Sequence, residues 1–129
     1  MLMVRVIKNS VTLVESELPG LDDDEILVAM HSCGICGSDL EKVYGNYAMK
    51  SVRVGHEPAG RVIRIGKNTK NFQVGDRVFV HHHVSCYTCR YCLQGNYTMC
   101  YNYQNSNIDP CGLSEQFIVP KWNIERGGV

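Results

Sequence analysis

The sequence predicts a mainly β domain, and three observations point that way. Its apolar residues come in short runs rich in valine and isoleucine, Gly, Asn and Asp separate the runs, and helical signals are scarce. Strands are expected at residues 2–7, 11–18, 26–32, 60–65, 77–82 and 115–119. Pro19-Gly20, Gly66-Lys67-Asn68 and Gly75-Asp76 have the chemistry of turns and stand where the chain should reverse or enter a strand. One short helix is expected from Ser38-Asp39-Leu40-Glu41. Ser38 would be its N-cap, Glu41 would complete a capping box, and the helix would end near Gly45.

A chain of 129 residues is the size of one domain, and no shift in composition marks a second. Lysine plus arginine equals aspartate plus glutamate at 13 each, so no net field gathers nucleic acid, anionic lipid or an acidic substrate. Arg5 and Lys8 interrupt the first apolar stretch, which does not read as a signal peptide, and no apolar run approaches the roughly 18 residues of a membrane span. The seven cysteines are an odd number, and four of them crowd between Cys86 and Cys100. Crowding of that kind suits thiolates on a metal in a reducing cytoplasm better than a disulfide framework. No G-x-G-x-x-G turn occurs, so the 129 residues offer no usual cradle for a dinucleotide pyrophosphate.

Cys86, Cys89, Cys92 and Cys100 spell C-x2-C-x2-C-x7-C. Two-residue spacers let successive sulfurs converge from one tight turn, and the longer gap lets the chain double back to close a tetrahedron around zinc. Four thiolates leave no open position, so such a site folds a loop and does no chemistry; Arg90 lies within it to offset negative charge. Arg90 is also the only basic side chain between Cys86 and Cys111, which excludes a phosphate-binding role for this lobe.

Cys33-Gly34-Ile35-Cys36, followed by Gly37-Ser38-Asp39, joins a strand to a helix. A helix N-terminus favours a thiolate at Cys36 whether it attacks a disulfide or holds a metal, so local physics leaves both open. No βαβ unit follows, which argues against a thioredoxin-like pair. Downstream come Gly55-His56-Glu57-Pro58-Ala59-Gly60 and Gly66. The order C-G-x-C-G-S-D, G-H-E-x2-G-x5-G, G-D-R-V and then a four-cysteine lobe resembles the signature of zinc-dependent alcohol dehydrogenases of the medium-chain dehydrogenase/reductase family. The likeness runs from about Cys33 to Cys100, and the segment from Gly112 to Pro120 resembles the strand that follows the lobe.

The resemblance implies a GroES-like, partly open β-barrel over residues 1–129. It implies a zinc-stabilised lobe at about 84–112, one or two short helices, and a Rossmann cofactor domain outside this chain. Cys36 and His56 match two ligands of the catalytic zinc, and Cys86, Cys89, Cys92 and Cys100 match the ligands of the structural one. Ser38 matches the hydroxyl that takes the substrate's proton, Asp39 the carboxylate that orients the ligand histidine, and Glu57 an acidic neighbour of the metal. Among His81, His82 and His83, His82 matches the position facing the substrate cleft; Cys33 has no ligand role in the family and is expected to be a packed thiol, Cys111 has no assigned role, and His31 reads as ordinary packing from its place in a strand. The implied reaction is hydride transfer between an alcohol or polyol and NAD or NADP, with a small-molecule alcohol or carbonyl as partner and oligomerisation through the missing domain. The fragment alone is expected to be inactive. Glu41 stands where many members have a histidine, and Gly37 where some have a basic residue that touches cofactor phosphate. The alternative is a free-standing zinc-stapled β module that binds a partner or redox-cycles Cys33 and Cys36.

Overall fold

The computed structural model describes residues 1–18, 20–45 and 52–129. Strands β1 (Leu2–Ile7) and β2 (Ser10–Glu15) form an antiparallel hairpin in register from Leu2↔Glu15 to Ile7↔Ser10. Lys8 and Asn9 close it with positive φ angles of 48° and 60°, the twist a two-residue hairpin turn requires. A second sheet has the order β5-β4-β3-β6, formed by β3 (Ile26–Gly34), β4 (Glu57–Ile65), β5 (Arg77–Phe79) and β6 (Gln116–Val119), every pair antiparallel. Alternate residues of these strands, Ile26, Val28, Val62, Phe117 and Val119, point to one face and meet Val80 and Ile108 in a buried core. Each such side chain stabilises the fold by about 1.5–3 kcal/mol.

The two sheets are stitched by isolated bridges, Met3↔Ser114 and Arg5↔Arg53, and by Val4 N–H donating to the Leu113 carbonyl at 2.8 Å. Among the described residues the strands do not close into a barrel, which matches the expectation of a partly open one.

All six expected strands exist, with shifted ends. β2 stops at Glu15 and β4 begins at Glu57. β5 ends at Phe79 rather than at residue 82, because the C-terminal segment satisfies the backbone beyond it. His81 N–H donates to the Gly128 carbonyl at 2.8 Å, and the Asn123 amide donates to the His81 and His82 carbonyls at 2.7 and 3.0 Å. His31, read as a packing residue, is exposed, at the irregularity in the β3–β4 register between Met30 and Ser32.

Helix α1 (Gly37–Tyr44) forms where expected and ends at Gly45, whose φ of 76° is the left-handed cap. Its N-cap is Cys36 rather than Ser38: Asp39, at the third helical position, accepts the Cys36 N–H at 3.1 Å, and Glu41 stays exposed. Short helices α2 (Arg90–Leu93) and α3 (Tyr101–Asn105), with a 3-10 turn at Tyr97–Met99 between them, shape the cysteine lobe, and α4 (Lys121–Glu125) follows β6. That exceeds the one or two helices expected, since segments of four or five residues are too short to show helical periodicity. Among the described residues no helix is long and apolar enough to cross a membrane. Pro19 of the expected Pro19-Gly20 turn lies outside the described residues.

Candidate functional site

Among the described residues two groups of side chains could hold a metal ion. In the lobe, the sulfurs of Cys86, Cys89, Cys92 and Cys100 lie within 4.8 Å of one another. The separations are 3.5 Å for Cys89–Cys92, 3.6 Å for Cys100–Cys86 and 3.9 Å for Cys86–Cys92. A tetrahedron with zinc–sulfur bonds of about 2.3 Å has edges of about 3.8 Å, close to these three separations. None of them is in a disulfide.

The backbone turns produce this convergence. Cys89 N–H points at the Cys86 sulfur at 3.3 Å and Cys86 N–H at the Cys100 sulfur at 3.5 Å. Hydrogen bonds from Thr88 and Cys89 hold the Cys86 thiol down at about 5, whereas burial and the Cys89 thiol push Cys92 up to about 11. Four thiols this close cannot all ionise without a cation among them. Arg90 stacks on the Tyr91 ring at 4.7 Å and donates to its hydroxyl at 2.7 Å.

The second group is Cys36, His56 and Glu57, whose ligand atoms also lie within 4.8 Å of one another. Cys36 is delivered by the start of α1 and His56 by the loop entering β4. Asp39, 4% exposed, ties the two together. One carboxylate oxygen accepts Cys36 N–H at 3.1 Å; the other accepts Gly55 N–H at 3.1 Å and lies 3.4 Å from His56 Nδ1. That leaves Nε2 to face the cluster, 3.9 Å from a Glu57 oxygen. Ser38 is half-buried in the first turn of α1, two residues after Cys36.

His82 packs against His56 with ring centroids 5.1 Å apart. Burial, reinforced by the neighbouring His83, His56, Lys42 and His81, lowers the His82 pKa to about 3, so its imidazole is neutral at ordinary pH. His83 stacks on His82 at 3.8 Å, meets Tyr103 of the lobe and hydrogen-bonds the Ser106 carbonyl, a place the sequence did not single out. Cys33 is half-buried outside the cluster, its thiol pKa raised by burial, and a Cβ on Gly112 would meet its sulfur. Cys111 is buried and its pKa is likewise raised by burial.

Two glycines matter more than the sequence reading allowed. A Cβ on Gly34 would strike the Glu57 carboxylate, so glycine at the end of β3 is what lets Glu57 lie beside His56. Gly55 has a φ of 86° and abuts Leu113, a conformation that sets the direction in which His56 leaves the backbone. Both were read as parts of motifs, and only the paired strands reveal what a side chain there would hit.

The sequence profile described as "Alcohol dehydrogenase GroES-like domain" matches residues 22–126. The chain belongs to this family. It is 35% identical over 102 residues to an alcohol dehydrogenase of Geobacillus stearothermophilus, a match covering 76% of this chain and 30% of that protein. To the L-threonine 3-dehydrogenase of Caldanaerobacter subterraneus it is 32% identical over 123 residues, covering 91% of this chain and 35% of the relative. Among solved structures, the alcohol dehydrogenase of Thermus sp. ATN1 superimposes with a TM-score of 0.73 at 32% identity, covering 95% of this chain and 38% of the other. Galactitol-1-phosphate dehydrogenase of Escherichia coli gives 0.75 at 28% identity, covering 94% of this chain and 36% of that one. The chain thus spans about a third of the length of the curated relatives it matches.

Proposed function

We propose that this GroES-like domain is the catalytic part of a zinc-dependent, NAD- or NADP-linked dehydrogenase that interconverts an alcohol or polyol with its aldehyde or ketone. Cys36 and His56 would hold the reactive zinc, and Cys86, Cys89, Cys92 and Cys100 the structural one. The observation that carries the reading is the contrast between the two clusters. One set is four thiols, the full complement of a closed tetrahedral site; the other is a thiol, an imidazole and a carboxylate, one donor short of it. A thiolate and an imidazole are the donors zinc prefers.

Zinc bound there would supply Lewis-acid polarisation of the substrate oxygen. Asp39 fixes the His56 ring by its contact at Nδ1 and anchors the Cys36 and Gly55 backbones, so both donors are placed before metal arrives. Ser38 is assigned to receive the substrate's hydroxyl proton. Glu57 stands beside His56 as the acidic neighbour of the metal. His82, neutral and packed on His56, lines the substrate side without adding charge.

In this reading residues 1–129 are one domain with its lobe at about 84–112. The nicotinamide nucleotide and subunit association belong to a dinucleotide-binding domain, the partner is a small alcohol or carbonyl compound rather than nucleic acid or membrane, and the setting is cytoplasmic. The test is cobalt titration of chelator-stripped protein, followed by thiolate-to-cobalt absorption. Two unequal sites are expected, and Cys36→Ser and His56→Ala should each remove only the weaker. If both sites survive both substitutions, the reading fails.

A further inference from the structure

The outer face of the second sheet holds a trough that the proposed function does not use. Along β4, Pro58, Gly60 and Val62 are buried in the core, so Ala59 and Arg61 point outward. Ala59 is small, and the register sets it between Ser32 of β3 and Phe79 of β5. Neighbouring strands lie about 4.8 Å apart, so the two walls stand about 10 Å from each other across a low floor. The result is a cavity of about 410 Å³ whose lining includes His31, Ser32, Ala59, Arg61, Arg77 and Phe79. It shares no residue with the Cys36, His56 and Glu57 group.

The trough gathers positive charge and hydrogen-bond donors. Arg61 and Arg77 are register partners, so two guanidinium groups stand side by side on one face, and like charges directly opposite each other are destabilising. Among the described residues no carboxylate lies within ion-pairing distance of either. Glu57, two positions before Ala59, lies over Gly34 and beside His56, and Asp76 accepts the Gln73 N–H at 2.7 Å. Arg61 donates to the Gly75 carbonyl at 2.9 Å, which steadies the side chain and leaves its other N–H groups for a further acceptor. At the opposite wall β3 advances two residues, from Met30 to Ser32, while β4 advances one, from Gly60 to Ala59. His31 is the extra residue of this bulge. A bulge re-aims a side chain, and here the His31 imidazole and the Ser32 hydroxyl both reach the trough. Phe79 is 53% exposed, with His81 edge-on to its ring at 5.3 Å, and gives the trough an apolar surface.

We propose that this trough binds a small phosphate monoester carrying an aromatic ring, with the phosphate between Arg61 and Arg77 and the ring on Phe79. The donor set decides for phosphate over carboxylate. One guanidinium fork fills a carboxylate, whereas the three terminal oxygens of a phosphate can accept from both guanidiniums, an imidazole and a hydroxyl together. A phosphate monoester also carries a charge of about −2 at neutral pH, which offsets both arginines. The inference is independent of the proposed function, since it needs neither zinc nor hydride transfer.

The experiment uses the zinc-loaded chain and follows the backbone amides of residues 59–61 and 77–79 and the His31 ring by NMR. The His56 ring is the reporter for binding at the zinc cleft. The probes are phenyl phosphate, phenol, benzoate and inorganic phosphate. Phenyl phosphate should bind at the trough about tenfold more tightly than phenol or benzoate, and about fivefold more tightly than inorganic phosphate. Arg77→Gln and Arg61→Gln should each weaken it about tenfold, and Phe79→Ser should bring it down to the level of inorganic phosphate. Arg77→Gln also removes the like-charge contact, so its melting temperature should be unchanged or slightly raised, which separates lost binding from lost folding. Cys36→Ser should leave binding at the trough unchanged. No response at residues 59–61 and 77–79, or a response at His56 alone, overturns the inference. So does benzoate binding as tightly as phenyl phosphate, or an affinity that survives both arginine substitutions. None of these results touches the zinc reading of Cys36 and His56, which stands or falls on its own titration.

Discussion

Replacing Asp39 by alanine should strip the Cys36–His56 cluster of its organiser while leaving the domain folded. Asp39 is 4% exposed and accepts two backbone N–H groups, those of Cys36 and Gly55, at 3.1 Å each. An orphaned buried donor costs about 1–3 kcal/mol, and the Cys36 end is only partly buried, so the loss should total about 2–4 kcal/mol. That is less than the roughly 5–15 kcal/mol by which a domain is stable. Asparagine keeps one acceptor oxygen but turns its amide NH2, a donor, toward the other N–H, so it should restore only part of the loss. The larger effect falls on metal affinity, because His56 loses the contact at Nδ1 that aims Nε2 into the cluster. A fall of about 10–100-fold is expected at the Cys36–His56 site and none at the four-cysteine site. Competition with a chromophoric chelator measures both sites in one titration, and urea denaturation measures stability. If Asp39→Ala lost stability but kept wild-type zinc affinity at Cys36 and His56, Asp39 would be only a helix cap, and its role behind His56 would be wrong.

Other outcomes follow from the same geometry. Cys89→Ser, or removal of zinc by a chelator, should loosen residues 84–112 while the β3–β4–β6 core keeps its amide protection. X-ray absorption on the intact lobe should give four sulfurs near about 2.3 Å, and finding a disulfide there would refute the site. His82 binds its proton near pH 3 when folded against an ordinary 6.5, so the unfolded chain takes up the proton first as pH falls. Its contribution to stability is therefore complete above pH 6.5 and lost progressively from there toward 3, and zinc at His56 would shift the pKa in the same direction. An NMR titration of His82 with a midpoint near 6.5 would contradict the packing described. The 129 residues on their own should show no alcohol-dependent reduction of NAD or NADP, since they contain no dinucleotide fingerprint; measurable turnover would show the domain to be self-sufficient.

What the sequence determined by itself was whatever depends on local spacing. Valine-rich runs bounded by glycine and asparagine specify strands wherever they lie, and two-residue spacers between cysteines specify convergence before any tertiary contact forms. The six strands, the four-cysteine lobe and the end of the helix near Gly45 were legible for that reason. The tertiary structure decided whatever depends on residues far apart in the chain. Ser38 looked like the helix cap because its spacing to Glu41 fits a capping box, but Asp39 is drawn inward by Gly55 and His56, sixteen or more positions away, and Cys36 takes the cap instead. β5 stops short of the histidines because Asn123 and Gly128, some forty residues later, claim their backbone. The need for glycine at position 34 exists only once β4 lays Glu57 across it. Local patterns are decided by the period of the chain, whereas a site is decided by which distant segments the core brings into contact.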